Sequence, residues 1–199
     1  MREEKDWDKR YEDKNLPWDT GMPDISLINL ITRWPKCVGR VLEVGCGTGT
    51  NAVWLAQQGL EVTALDISGK AVALAEQRCA EQKVQCRLLQ DNFLTCSPMG
   101  QFDLLFDRGC FHSVNGEEEQ RSFVRQAAIC LKPGGFWLSL IGNRDQVIVD
   151  EIGPPRMSAA EICAAVEPAF EVLHLESVLR TSANRSVPIR FWECLLRMR

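Results

Sequence analysis

No run of apolar residues in the 199-residue chain approaches the roughly 20 needed to span a bilayer. The opening MREEKDWDKR also lacks the apolar core of a signal peptide. Neither membrane insertion nor secretion is expected, and the chain reads as cytoplasmic. Positive charge is not in surplus: 23 Lys and Arg stand against 27 Asp and Glu, a net charge of −4. Nothing in that balance advertises nucleic acid or an anionic membrane as a partner. Nine cysteines are many, yet their number is odd and no Cys-x-x-Cys pair occurs between Cys37 and Cys194. Neither a metal site nor a disulfide framework is predicted. The thiols read as small, reduced, apolar residues.

What is present is ordinary globular composition, 45% hydrophobic and 25% charged, in a length that suits one domain. The first 14 residues carry 11 charges, with Trp7 and Tyr11 spaced to share a helix face. A solvated terminal helix and a lid whose rings close over a ligand are both consistent with that spacing. Pro17-Trp18-Asp19 reads as a turn, and Leu27, Leu30, Ile31 and Trp34 recur at helical spacing between Pro23 and Pro35.

From Arg40 the pattern alternates. Val41 to Val44 reads as a strand, Gly45-Cys46-Gly47-Thr48-Gly49 as a turn, and Ala52, Val53, Leu55 and Ala56 as a helix face closed by Gly59. Val62 to Leu65 makes a second strand ending at Asp66, with Ser68 capping a helix that buries Ala71, Val72, Ala75 and Cys79. Val84 to Leu89 and Phe102 to Phe106 are the third and fourth strand candidates. A helix starts near Glu117 and is ended by Pro133-Gly134-Gly135, and Phe136 to Ile141 is the fifth strand. Ser158 and Glu161 spell a capping box, and Phe170 to Leu179 with Ile189 to Met198 reads as a hairpin. Alternation followed by a hairpin predicts an α/β doubly wound sheet with helices on both faces. Residues 1–36 would cover a core of 38–142, and 143–199 would add a helix and the hairpin.

Such sheets bind ligands at the carboxyl ends of their strands. Those ends hold Glu43 and the glycine turn, Asp66, Asp91 with Asn92, and Asp107 with Arg108. A carboxylate 17 residues after Gly49 suits the two hydroxyls of a ribose. Glu43, just inside the turn, would repel a pyrophosphate and attract an ammonium or sulfonium. The turn is GxGxG, not GxGxxG, and no Walker lysine follows, so phosphate cofactors lose ground.

Val41-Leu42-Glu43-Val44-Gly45-Cys46-Gly47-Thr48-Gly49 resembles the first motif of class I S-adenosylmethionine-dependent methyltransferases. The resemblance continues through Leu65-Asp66-Ile67-Ser68, Gln90-Asp91-Asn92-Phe93, Phe102 to Asp107 and Leu131-Lys132-Pro133-Gly134-Gly135. It implies a Rossmann-like sheet of seven strands, mostly parallel with an antiparallel last strand. It also implies S-adenosyl-L-methionine as cofactor, held by Glu43, Gly45, Cys46, Gly47, Asp66, Ile67, Asp91, Asn92, Phe93 and Asp107. Asp66 would take the ribose, and Ile67 and Phe93 would sandwich the adenine. Trp7, Tyr11 and Pro17-Trp18-Asp19-Thr20-Gly21 resemble the amino-terminal segment of the thiopurine, thiol/halide and tellurite-resistance methyltransferases. In that group the segment covers the cofactor and adds to the substrate pocket.

Methyl transfer from a sulfonium is an in-line displacement, for which positioning and desolvation supply most of the catalysis. A soft nucleophile (a thiol, halide or chalcogen oxyanion) needs no general base, whereas an amine or phenol does. Asp107 and His112 are the candidate bases, and Trp18, Arg108, Phe111, His112 and Arg144 the candidate acceptor-binding residues. Cys46 and Cys110 read as structural, since no covalent enzyme intermediate is required. Arg180, Arg185 and Arg190 read as solvated hairpin arginines or as clamps for an anionic substrate. The fourth strand does not end in the Asn/Asp-Pro-Pro-aromatic motif of methyltransferases acting on bases, so the expected partner is a small methyl acceptor and not nucleic acid. A monomer or weak dimer is expected. A protein or amine methyltransferase, or a cofactor-binding module without catalysis, is the competing reading.

Overall fold

The computed structural model describes residues 6–14, 16–34, 39–96, 100–146, 155–182 and 185–199. Two helices lead the chain, α1 (Trp7–Glu12) and α2 (Ile25–Arg33), capped by the side chains of Asp6 and Asp24. Then β1 (Arg40–Val44), α3 (Thr50–Gln57), β2 (Glu61–Asp66), α4 (Gly69–Gln82) and β3 (Arg87–Gln90) follow in alternation. β4 (Phe102–Arg108) passes through a short 3-10 turn, Phe111–Ser113, into α5 (Gly116–Cys130) and β5 (Leu131–Gly142). The chain ends in α6 (Ala159–Val166) and the hairpin of β6 (Phe170–Ser182) and β7 (Arg185–Met198).

The seven strands lie in the order β3-β2-β1-β4-β5-β7-β6. Pairs from β3 to β5 are parallel, and β7 runs antiparallel to both β5 and β6. The order reverses between β1 and β4, which opens a crevice at their carboxyl ends. This is the expected doubly wound sheet with an antiparallel last strand.

Side chains alternate across the sheet, and the two faces have separate cores. Leu42, Val44, Leu65 and Leu105 face one layer with Phe111, Phe123, Trp137 and Phe170. Val41, Val62, Ala64, Leu104 and Phe106 face the other with Leu27, Leu30, Ile31 and Leu55. Trp137 is fully buried, stacked on Phe123 at 5.5 Å and edge-on to Phe111 at 5.2 Å.

Three boundaries differ from the expected ones. The third strand starts at Arg87 and not at Val84. Lys83 adopts a left-handed conformation, and the Val84 N–H donates to Cys79 O, so Val84 still belongs to the end of α4. α5 ends at Cys130, before Pro133-Gly134-Gly135. Leu131 already pairs with Phe102, and the next pair is Leu104 with Phe136, so the proline and glycines bulge inside β5 instead of ending a helix. The hairpin strands are longer than predicted, with Ser182 paired to Arg185.

Candidate active site

The pleat decides which strand-end side chains meet. Glu43 lies two residues beyond Val41, Asp66 two beyond Ala64 and Arg108 two beyond Phe106, so all three belong to the face carrying α2 and α3. Asp107 and the adjoining Phe111 belong to the other face.

The glycine turn joins β1 to α3 with Gly45, Gly47 and Gly49 all at positive φ. A Cβ on Gly45 would lie 2.0 Å from Cys110 Sγ, so only glycine lets the two loops close on each other. A Cβ on Gly47 would approach the Tyr11 hydroxyl to 3.2 Å. The Gly47 N–H donates to Asp66 Oδ2 at 2.9 Å and the Ser68 N–H to Asp66 Oδ1 at 3.0 Å. One carboxylate thus ties the turn to the start of α4. Burial raises the Asp66 pKa, opposed by those N–H groups.

Beneath the turn, Glu43 is buried, and Asn51 Nδ2 donates to its Oε1 at 3.0 Å. Oε2 accepts no hydrogen bond of normal geometry. Desolvation pushes its carboxyl up to about 8, with Asn51 opposing the shift. Asn51 Oδ1 accepts in turn from the Asp24 N–H at 2.9 Å, linking the turn to the cap of α2. An under-bonded buried acid below the glycine turn fits a cationic ligand bearing an ammonium, as S-adenosylmethionine does. Ile67, half exposed, and the exposed Asp91 stand on the β2 and β3 side of Asp66.

Other expected site residues lie elsewhere. Asp107 has no exposed surface: Oδ1 accepts from the Cys110 and Phe111 N–H groups at 3.1 and 3.0 Å, and Oδ2 from Trp137 Nε1 at 2.9 Å. It shapes the loop after β4 from inside the core and does not line the cleft over the glycine turn. Phe111 is fully buried between Phe123 and Trp137 and does not line the cleft over the glycine turn. His112 is buried, and its Nδ1 accepts from the Gly142 N–H at 2.8 Å, which ties the turn after β4 to the end of β5. Phe93 is buried and packs 4.7 Å from Phe123 within the core. Arg144 pairs with Glu161 at 2.7 Å and donates to Arg156 O, fastening a loop to α6 away from the turn.

A cleft of about 170 Å³ opens over the glycine turn, walled by Trp18, Met22, Ile25, Asn51, Arg108 and Arg180. A larger cleft of about 660 Å³ lies at the far side, around the starts of β2 and β3. It has neither a strand carboxyl end nor a glycine turn, so the smaller one is where the chemistry gathers. Asp24 and Asn51 were not singled out as site residues from the sequence, whereas Arg180 was weighed as a clamp for an anionic substrate. Asp24 had a visible signal, a capping residue just before an apolar helix, whereas Asn51 had none. Among the described residues no cluster of metal-ligating side chains occurs and no helix is long and apolar enough to cross a membrane.

The amino-terminal segment packs across this end. Asp8 accepts from Ser68 Oγ at 2.5 Å, Lys70 pairs with Glu12 at 3.1 Å, and Trp18 meets Trp7 and Tyr11 edge-on at 5.8 and 6.2 Å.

Residues 41–135 match a methyltransferase domain family. The chain is 31% identical over 173 residues to a probable thiol methyltransferase 2 of Arabidopsis thaliana, covering 85% of this chain and 75% of that protein. It is 30% identical to thiocyanate methyltransferase 1 of the same plant, covering 77% of this chain and 66% of the relative. The chain belongs to the class I S-adenosylmethionine-dependent methyltransferases, in the group of the thiol and thiocyanate enzymes. Its fold also matches the crystal structure of TehB from Haemophilus influenzae, with a TM-score of 0.75 at 16% identity over 96% of this chain and 66% of that one. The methyltransferase is an enzyme whose cofactor is S-adenosylmethionine.

Proposed function

We propose that this methyltransferase acts on a small molecule through a soft nucleophile, by direct in-line transfer. The observation that carries the reading is that the candidate bases do not face the cleft. Asp107 and His112 are committed inside the fold, and the carboxylates that do line the cleft, Asp19 and Asp24, lie within reach of arginines at 3.9 and 3.0 Å. An acceptor that arrives as a thiolate, halide or chalcogen oxyanion needs no such base. The two plant relatives, named for thiol and thiocyanate, agree in chemistry.

When bound, S-adenosylmethionine supplies an electrophilic methyl group on a sulfonium. In this reading the Gly45–Gly47 backbone and Glu43 hold the amino-acid end, and Asp66 accepts from the ribose hydroxyls. Ile67, Asp91 and Asn92 border the adenine. Trp18 and Arg108 bound the acceptor. At about 170 Å³ the cleft is smaller than the roughly 300 Å³ at which ordinary ligand pockets begin, so α1 and the Trp18 turn move outward as the cofactor enters and close again to exclude water.

The test is turnover of S-adenosylmethionine with alkanethiols, iodide, tellurite, amines and peptides, with hydrogen exchange of residues 6–14 in parallel. Thiols or halides should be methylated and amines and peptides not, and the segment should gain protection with cofactor. Turnover confined to amines or peptides would sink the soft-nucleophile reading, and equal protection with and without cofactor would sink the lid.

A further inference from the structure

The end of β4 and the outer hairpin each send one arginine toward the glycine turn, and both meet the same carboxylate. Arg108 Nε donates to Asp24 Oδ2 at 3.0 Å and its Nη1 to Trp18 O at 2.8 Å. Arg180 Nε stands 3.7 Å from Asp24 Oδ1, and its Nη2 donates to Glu193 Oε2 at 2.9 Å. The Asp24 side chain is 3% exposed, that of Arg108 18% and that of Arg180 14%. Charges this far out of water interact several times more strongly than surface pairs.

The cations around the cleft are already balanced. Arg108 faces Asp24, Arg180 faces Glu193 as well, and Arg78 reaches Asp19 at 3.9 Å. An acceptor bringing a carboxylate of its own would find arginines whose charge is already paired, although among the described residues the Arg180 Nε–H makes no hydrogen bond. The rim is apolar instead: Met22 is 69% exposed and Ile25 49%, and both wall the cleft. A neutral, partly apolar body would cover them, removing surface that otherwise stays in water.

We infer that Asp24 is a positioning residue that sets the charge selectivity of the acceptor pocket. Acting through Arg108 and Arg180, it fits the pocket to a thiol whose body is uncharged. The inference rests on the soft-nucleophile reading of the same cleft. In the step it serves, the thiol gives its S–H proton to water and the acceptor sulfur forms a new S–C bond to the methyl group. The old methyl–sulfonium bond breaks, and its electron pair stays on the departing sulfur.

Asp24→Asn tests this, because asparagine still caps the helix through its one acceptor oxygen, while the charge and the acceptor that faces Arg108 are lost. The full chain, saturated with S-adenosylhomocysteine, is titrated with two unreactive probes of equal length, 3-(methylthio)propionamide and 3-(methylthio)propionate. The natural chain should bind the amide about tenfold or more tightly than the acid. In Asp24→Asn that ratio should move toward the acid by about tenfold, with amide binding changed by less than about threefold. Asp24→Ser, which also caps, should give the same shift and serves if the first variant folds poorly. An unmoved ratio, a natural preference for the acid, or failure of both probes to bind would overturn the inference. Neither probe reacts, so absence of thiol turnover would count against the soft-nucleophile reading alone, while the ratio still judges Asp24.

Discussion

Asp66 ends β2 and Asp107 stands one residue from the end of β4, on strands that flank β1 on either side. Both are buried, and burial raises both carboxyls above their ordinary range. Asp66 nevertheless lies against the glycine turn, bonded to Gly47 and Ser68, while Asp107 lies under Cys110 and Phe111 and against Trp137. The difference is one step of the pleat. A strand end supplies two side chains pointing to opposite faces, and only one of the two faces carries the cleft. At β4 that step gives the cleft Arg108 and gives the core Asp107. An acidic residue at a strand end is therefore a site candidate only once its face is known, and a pKa raised by burial does not separate the two cases.

The largest effect expected from this comparison is on stability. Asp107→Ala should destabilise the fold by about 3 kcal/mol, because two backbone N–H groups and the Trp137 indole lose a charged acceptor where water does not replace it. Chemical denaturation measures the loss, and calorimetry on the folded fraction should find cofactor affinity nearly unchanged. Asp66→Ala should do the reverse. Cofactor binding should weaken by about 1.5 to 3 kcal/mol, the range for hydrogen bonds to a charged group, with a smaller loss of stability since Asp66 holds backbone N–H groups but no core indole as Asp107 does. If Asp107→Ala abolished binding in a folded protein, or Asp66→Ala left it unchanged, the assignment of faces would be reversed.

Much of this was legible in the chain. The glycine turn, Ser68 and the Ser158–Glu161 box are local signals whose geometry is decided within a few residues, and the order of strands and helices follows from period alone. What was not legible depends on register. Whether Asp107 or Arg108 faces the crevice is set by the pairing of β4 with β1 and β5, in which Asp107 lies beside Val44 and Ser139. Phe93 and Phe111 follow strand ends as pocket residues would, but the aromatic layer under the sheet has room for both and takes them. Arg180 looked like a solvated hairpin arginine until the hairpin folded back beside β5 and set it against Asp24 and Glu193. Contacts between residues about 150 positions apart, such as Arg180 with Ser26, leave no trace in either neighbourhood.

Glu43 sharpens the comparison with the smallest expected effect, because it shares a face with Asp66 and a depth of burial with Asp107. Its carboxyl sits at about 8 in the folded protein against 4.5 ordinarily. Between those values the unfolded chain has lost the proton and the folded one keeps it, so the folded state binds more protons and stability without ligand falls as pH rises across the window. Asp66 and Asp107, also raised, contribute with the same sign. Glu43→Gln should flatten that slope by the share of one proton, as denaturation at a series of pH values would show. A cationic ligand over the turn favours the ionised form, so cofactor binding near pH 7 should release up to one proton, and affinity should rise with pH until about 8. Calorimetry in two buffers of different ionisation enthalpy counts that proton. The release should vanish in Glu43→Gln. Equal release by both proteins would group Glu43 with Asp107, as a buried acid that never senses the ligand.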